Sequence, residues 1–292
     1  MFKIVNKQIL AEGIKRLDIV AANIARKVQA GQFVGVCPKE GDERIPLAVV
    51  DSDSNKGTIT LIFHEVGPTT KTMGALSIND QIFSILGPLG VPATIQKKGE
   101  VVCVATGIGS AKILPICRAL KSAGNKVIGV IGAKTKRGLM LEAQIRLTCD
   151  NIYITTEDGS YGKKGLATDV LQDLLSQRNV KMVYAIGASE MMEAVCSLTK
   201  KKKIKTFVQL NPIMVDCMGM CGSCRVRVGD KMVLACTDGP EFDGHQVDFN
   251  YFHVRMNALK ELEQWSNQRL SSNQSEKESK TLTKFLSGIL RN

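Results

Sequence analysis

The stretch Val101-Val102-Cys103-Val104-Ala105-Thr106-Gly107-Ile108-Gly109-Ser110 sets the fold class. Its apolar run has no alternation, as in a strand buried on both faces. The run breaks at Thr106-Gly107-Ile108-Gly109-Ser110, and a helical pattern follows to about Ala123. Further apolar runs at Val127 to Ile131, Ile152 to Thr155 and Met182 to Ile186 are separated by helical patterns. These lie around Leu139 to Leu147, Ala167 to Leu175 and Glu190 to Thr199. Such alternation predicts a parallel sheet covered by helices. Glycines between a buried strand and a helix let the backbone approach a diphosphate, whose charge suits the helix N-terminus. A tight strand–helix turn needs glycine in any case, and the third glycine of a G-x-G-x-x-G pattern is replaced by Lys112.

Upstream, residues 1–96 read as short strands bounded by turn residues. The candidates are Ile4 to Ala11, Ile14 to Ala21, Gln32 to Cys37, Arg44 to Val50, Gly57 to Phe63 and Gln81 to Ile85. Many short strands at regular spacing predict a small antiparallel barrel. On it, Arg44-Ile45-Pro46-Leu47-Ala48 and Gly67-Pro68-Thr69-Thr70 offer a forked cation, backbone N–H groups and hydroxyls, donors that suit a phosphate. A surface arginine is the plainer reading of Arg44.

Downstream, four of the nine cysteines crowd together: Cys217, Cys221, Cys224 and Cys236. The other five, Cys37, Cys103, Cys117, Cys149 and Cys196, sit in apolar surroundings and read as inert buried thiols. The odd total argues against a disulfide framework. The clustered thiolates suit iron, and two ligand sets are open: all four cysteines, or Asp216 in place of Cys217. The second gives the four-then-two spacing of plant-type [2Fe-2S] ferredoxins. A structural zinc site is the alternative. A segment as small as 207–254 has little core of its own, and a bound metal would help it fold.

Bulk composition narrows the class. The 292 residues, 44% hydrophobic, suit two or three soluble domains. No apolar stretch is long enough to span a membrane, and the start lacks the apolar core of a secretory signal, so a cytoplasmic location is expected. The net charge is +11, and its densest run, Lys200 to Lys203 with Lys205, ends a helical pattern without interleaved aromatics. A solvated helix terminus accounts for it, and nucleic acid is not expected as a partner. His64, His245 and His253 have no catalytic or metal spacing. In the tail, 255–292, Met256, Leu259, Leu262 and Trp265 have helical spacing. Ser275 with Glu278 forms a capping-box pattern, and Leu282, Phe285, Leu286, Ile289 and Leu290 form a stripe suited to the chain itself or to a partner subunit.

Specific strings carry a family resemblance over roughly residues 3–258. They are Gly87-Pro88-Leu89-Gly90, Ile131-Gly132-Ala133-Lys134, Asp158-Gly159-Ser160-Tyr161-Gly162 and Asn211-Pro212-Ile213-Met214-Val215-Asp216. Two more are Gly219-Met220-Cys221-Gly222-Ser223-Cys224-Arg225 and Cys236-Thr237-Asp238-Gly239-Pro240-Glu241-Phe242-Asp243-Gly244. The chain resembles electron-transfer subunits of dihydroorotate dehydrogenase, within the ferredoxin–NADP reductase superfamily. It is similar, more closely, to the small subunit of bifurcating NADH-dependent reduced ferredoxin:NADP oxidoreductases, relatives of the sulfide dehydrogenase beta subunit.

The resemblance implies an FAD barrel over 1–96, an NAD(P)-binding α/β domain over 97–206, a [2Fe-2S] domain over 207–254 and a helical tail. It implies that Arg44 and the turn with Gly67, Thr69 and Thr70 hold the FAD diphosphate. Pro46, Leu47, Ala48, Leu61, Ile62 and Phe63 would line the flavin. Gly107, Gly109, Gly187 and Asp158 would serve NAD(H) or NADP(H). Asp216, Cys221, Cys224 and Cys236 would ligate the cluster, with Cys217 the alternative ligand. The chemistry would be borne by the cofactors, and a larger flavin and iron–sulfur subunit would be the partner, with ferredoxin reached through the complex. A dihydroorotate dehydrogenase subunit and a relay that no longer binds nicotinamide are the rival readings. The chain departs from the family at Ala48 (usually Ser or Thr), at Thr106 and Ser110 to Lys112 (usually a glycine-rich loop ending in proline), at Ala188 (usually proline) and at Cys217 (usually glycine).

Overall fold

The computed structural model describes residues 1–264. The N-terminal elements are β1 (Phe2–Ala11), β2 (Ile14–Val20), α1 (Ala22–Ala25), β3 (Phe33–Cys37), β4 (Ile45–Asp53), β5 (Thr58–His64), α2 (Pro68–Ala75), β6 (Gln81–Ile82) and β7 (Ser84–Leu89). They form an antiparallel sheet in the order β6-β1-β2-β5-β4-β3-β7. The strands at its two edges, β6 and β7, are separated in the chain by Phe83 alone. The edges must therefore meet, and the sheet curls into a barrel. Ile4, Leu17, Ile19, Val34, Val36, Leu61 and Phe63 fill its core.

The α/β region comprises β8 (Glu100–Thr106), α3 (Gly109–Ser122), β9 (Lys126–Ala133), α4 (Glu142–Thr148), β10 (Asn151–Thr156), β11 (Lys163–Lys164), α5 (Ala167–Gln177), β12 (Met182–Ile186), α6 (Ser189–Lys201) and β13 (Lys205–Gln209). Its sheet runs β11-β10-β9-β8-β12-β13 and ends on a later strand, β16 (Glu241–Asp243), parallel except at that last pair. The middle strands are buried on both faces, as their unbroken apolar runs require. The helical pattern at Leu139 to Leu147 forms only in part. Leu141 adopts a left-handed conformation (φ 55°) and α4 starts after it, while Leu139 and Leu141 pack on the sheet from an irregular turn.

The third region holds the hairpin β14 (Arg225–Val228) and β15 (Lys231–Leu234), then β16 (Glu241–Asp243) and α7 (Phe249–Asn257). It is not an independent layer. β16 extends the α/β sheet by pairing with β13, and Phe249, Phe252 and Val226 join the core around α5 and α6. Residues 260–264 are again helical, with Leu259 and Leu262 exposed. Trp265, the Ser275–Glu278 pattern and the apolar stripe at 282–290 lie outside the described residues. No helix among the described residues is long and apolar enough to cross a membrane.

One short segment ties the regions together. Gly90 O accepts from Gln32 Nε2 (2.7 Å), and Val91 N donates to Gly239 O (2.6 Å). Ala93 N donates to Ala30 O (2.8 Å), and Thr94 N to Glu241 Oε1 (2.9 Å). Thr94 O accepts from the Tyr184 hydroxyl. Burial raises the Glu241 pKa above the usual carboxylate range, and among the described residues Oε2 has no hydrogen-bond partner. A carboxyl whose pKa rises on folding costs nothing below its unfolded pKa and its full penalty above the folded one. Glu241→Gln keeps the acceptor for Thr94 and removes the charge. It should be more stable than the parent in urea melts at about pH 7, with the gain shrinking towards about pH 4. A gain equal at both pH values would show that the buried charge is not its source.

Candidate functional site

The barrel presents its candidates where β4 begins. The Arg44 stem crosses β3 at Gly35: a Cβ there would stand 2.8 Å from Arg44 Cδ and 3.4 Å from Cys217 Cβ. Arg44 therefore runs between the barrel and the cysteine loop. Among the described residues its buried Nε has no hydrogen-bond partner, an unmet donor on a cation. Pro46, Leu47 and Ala48 are half-buried. Alternation along β5 sends Leu61 and Phe63 into the barrel core, while Ile62 joins the apolar cluster facing the α/β region with Ile14 and Val50.

Helix α2 starts at Pro68, behind Gly67. The Thr70 hydroxyl accepts from Val66 N and Gly67 N, each at 3.0 Å, and donates to Gly67 O. It is thus spent on the turn. The N–H groups at the helix start that lack helical acceptors are those of Thr69 and Thr70.

In the parallel sheet, connections run outward in opposite directions from β8 and β12, so the switch point lies between these neighbours. Ligands of open α/β sheets bind in the crevice beyond the strand ends at such a point. Thr106, Gly107 and Gly109 line one side and Gly187 the other. Gly109 lies against the Ile186 carbonyl with no space for a Cβ. The Thr106 hydroxyl accepts from Ala188 N (3.2 Å) and lies over Gly187, and its methyl is 3.2 Å from where a Cβ on Gly132 would stand. Thr106 thus narrows a notch otherwise walled by glycine. Gly132 appeared in the sequence only within a longer string; the pairing of β8 with β9 brings it here.

Asp158 is on the same sheet edge, beyond β10. Its N–H donates to Lys134 O (3.2 Å), and its Oδ1 accepts from Ser160 N (2.9 Å) and Ser160 Oγ (2.7 Å). The Ser160 hydroxyl bond leads the effects that lower its pKa. The carboxylate is exposed and stays charged.

In the cysteine loop the candidate ligands fall into two pairs. Cys224 and Cys236 are buried with sulfurs 3.2 Å apart. Asp216 and Cys221 form the outer pair: the carboxylate accepts from Met218 N (2.9 Å), Met220 N (2.8 Å) and Cys221 N (2.6 Å). Hydrogen bonding by Ser223 lowers the exposed Cys221 thiol, whereas burial pushes Cys236 up to about 12. Among the described residues no three His, Cys, Asp or Glu side chains converge on one metal ion. Cys217 is buried beside Arg44 and Gly35 on a left-handed backbone (φ 66°). Arg255 from α7 donates to Ser223 O (2.8 Å) and braces the loop, a role no sequence spacing signals.

Comparison with known proteins gives a consistent result. Residues 211–248 match the iron–sulfur cluster binding domain of dihydroorotate dehydrogenase B. A structure of NADH-dependent reduced ferredoxin-NADP oxidoreductase contains a chain that superposes with a TM-score of 0.87 at 36% identity, covering 92% of this chain and 98% of that one. Ferredoxin-NADP+ reductase from Plasmodium falciparum shares the fold at 17% identity, with a TM-score of 0.56 over 72% of this chain and 95% of that one. A Thermotoga maritima homologue of the dihydroorotate dehydrogenase B (NAD(+)) electron transfer subunit is 36% identical over 94% of this chain and 98% of its own length. The chain belongs to the family of dihydroorotate dehydrogenase B electron-transfer subunits and their homologues.

Proposed function

We propose that this chain is the electron-transfer subunit of a larger flavoenzyme, carrying FAD and a [2Fe-2S] cluster and accepting NADH or NADPH. FAD, when bound, exchanges the electron pair of a hydride for the single electrons that a [2Fe-2S] cluster carries. The observation that carries the reading is the contact of Arg44, Gly35 and Cys217, which sets the barrel's anion-ready arginine directly against the cysteine loop.

The residues fit these groups. The unmet Arg44 donor and the opening N–H groups of α2 suit a diphosphate. Pro46, Leu47 and Ala48 are half-buried and offer apolar surface to a flavin ring, while Ile62 is packed in the core facing the α/β region and Leu61 and Phe63 inside the barrel. The glycine notch between β8 and β12 would take the nicotinamide nucleotide, with Asp158 available to ribose hydroxyls. One ligand pair for each iron of a two-iron cluster matches Asp216 with Cys221 and Cys224 with Cys236; a single tetrahedral zinc calls for four converging ligands. Cys217 lies outside this set as a contact between the loop and the barrel.

All nine cysteines are free, in keeping with a cytoplasmic location. A larger catalytic subunit would take the electrons. On the family resemblance the first cluster ligand is cysteine in the dihydroorotate type and aspartate in the bifurcating ferredoxin:NADP oxidoreductase type, so Asp216 favours the latter type of complex. One observation speaks for the rival relay: Thr106 occupies part of the nucleotide notch.

Anaerobic visible absorption separates these. A flavin spectrum with an iron–sulfur shoulder should bleach with NADH or NADPH; cofactor bands that neither nucleotide bleaches would favour the relay. Iron analysis tests the ligand set. Cys236→Ala should lose most of the iron while Cys217→Gly keeps it, and equal losses in both would return Cys217 to the ligands. Arg44→Ala should weaken FAD binding about tenfold or more while the melting temperature of the FAD-free chain changes little. Undiminished FAD affinity would remove Arg44 from the site.

A further inference from the structure

Ser223 stands between two candidate ligands, and each of its polar groups is engaged there. Its hydroxyl lies 3.1 Å from Cys221 Sγ, and its N–H donates to the same sulfur (3.5 Å). Val215 N, next to Asp216, donates to the hydroxyl oxygen (3.2 Å), which leaves the hydroxyl proton for the sulfur. The Ser223 carbonyl accepts from Arg255 Nη2 (2.8 Å). One residue thus joins the outer ligand pair to a cation on α7.

Arg255 is brought there by a packed helix. Phe249 and Phe252 are buried in the core around α5 and α6, and the Asp248 carboxylate accepts from Tyr251 N (2.9 Å) at the start of α7. Arg255 follows Phe252 by three residues, on the same face. Among the described residues its Nε is buried without a hydrogen-bond partner. No carboxylate pairs with it among them either; the ion pair at the start of α7 joins Arg227 to Asp248 (3.7 Å). A cation suits the last turn of a helix, but an exposed side chain would serve that purpose. A guanidinium with a buried, unmet donor against the ligand loop is unfavourable until an anion stands near it. A [2Fe-2S] cluster on four anionic ligands is such an anion, and reduction adds one more negative charge.

We propose that Ser223 and Arg255 set the reduction potential of the cluster, holding two hydrogen bonds on the Cys221 sulfur and a cation behind them. This rests on the reading of Asp216, Cys221, Cys224 and Cys236 as [2Fe-2S] ligands. Hydrogen bonds to a ligand sulfur and a nearby positive charge both favour the reduced cluster, so both raise its potential. Ser223 acts on the sulfur itself. Arg255 is a positioning residue that acts through the Ser223 peptide and through its own charge. Arg225, whose Nη1 lies 3.3 Å from where a Cβ on Gly222 would stand, is exposed, so solvent and salt screen it.

The test is an anaerobic redox titration of the full, cofactor-loaded chain. It is read from the electron paramagnetic resonance signal of the reduced cluster, with iron content measured on the same samples. At a fixed solution potential, Ser223→Ala should raise the oxidised-to-reduced ratio about tenfold, a lowering of about 59 mV for a one-electron couple. Arg255→Met should shift the ratio the same way by about threefold or more, at low and at high salt. Ser223→Thr and Arg255→Lys should stay near the parent, and iron content should be unchanged in all four. Arg225→Gln should give a smaller shift that salt removes. Parent-like potentials in Ser223→Ala and Arg255→Met overturn the proposal. So does an Arg255→Met chain that loses iron while the cluster that remains keeps the parent potential, the mark of a brace and nothing more. Equal shifts in Arg225→Gln and Arg255→Met overturn it too, by making net charge the cause. A parent chain with neither iron nor a [2Fe-2S] signal sinks the cluster reading itself, and this proposal with it.

Discussion

The segment from Gly90 to Thr94 holds the molecule together. Its backbone bonds in turn to the barrel, the cysteine region, the barrel again, β16 and the hydroxyl of Tyr184 in the α/β sheet. A covalent linker between domains normally leaves them free to move. Here nearly every peptide of the linker is committed to a different neighbour. Gln209 adds a further tie by donating to Gly31 O (3.2 Å). The spacing between the three candidate cofactor positions is thus set by hydrogen bonds in the chain itself. That matters for electron transfer, where distance and orientation are the protein's main contribution.

Much of this was legible in the sequence, for identifiable reasons. The central strands are apolar on both faces, so they stand out as unbroken runs. The glycines at 109 and 187 sit where neighbouring segments crowd, that at 107 takes a left-handed turn, and the crowded cysteines have a spacing that few structures need. What escaped depended on long-range pairing. β16 is three residues long and owes its strand conformation to β13, so no local pattern could place it in the α/β sheet. The triplet Leu61-Ile62-Phe63 reads as uniformly apolar, yet the alternation of side chains along β5 divides it between two cores, both of them covered. The Thr70 hydroxyl offers a donor on paper, and only the turn geometry shows that it is already used. The start of α4 was obscured because apolar residues with helical spacing also serve as anchors in an irregular turn.

The departure at Thr106 changes the crevice between β8 and β12. A glycine-walled notch relies on backbone donors alone, and its capacity falls once a side chain enters. Thr106 also joins β8 to the start of α6 through Ala188, stiffening the two lips of the crevice.

The cysteine region shows the same economy between stability and function. Its small core consists of Phe33, Met214, Cys217, Cys224, Ala235 and Cys236, so half of its buried side chains are thiols. Thiols are modest core material, and two candidate ligands among them are buried side by side. On the proposed ligand set, metal binding converts that weak core into a strong one, coupling local folding to cluster acquisition. The asymmetry of the two ligand pairs then gives the site a direction. The inner pair faces Phe33 of the barrel, while Cys221, Met218 and Met220 are exposed. On the proposed ligand set, electrons arriving from the barrel side would leave through the outer pair, the end of the loop that the described residues leave exposed.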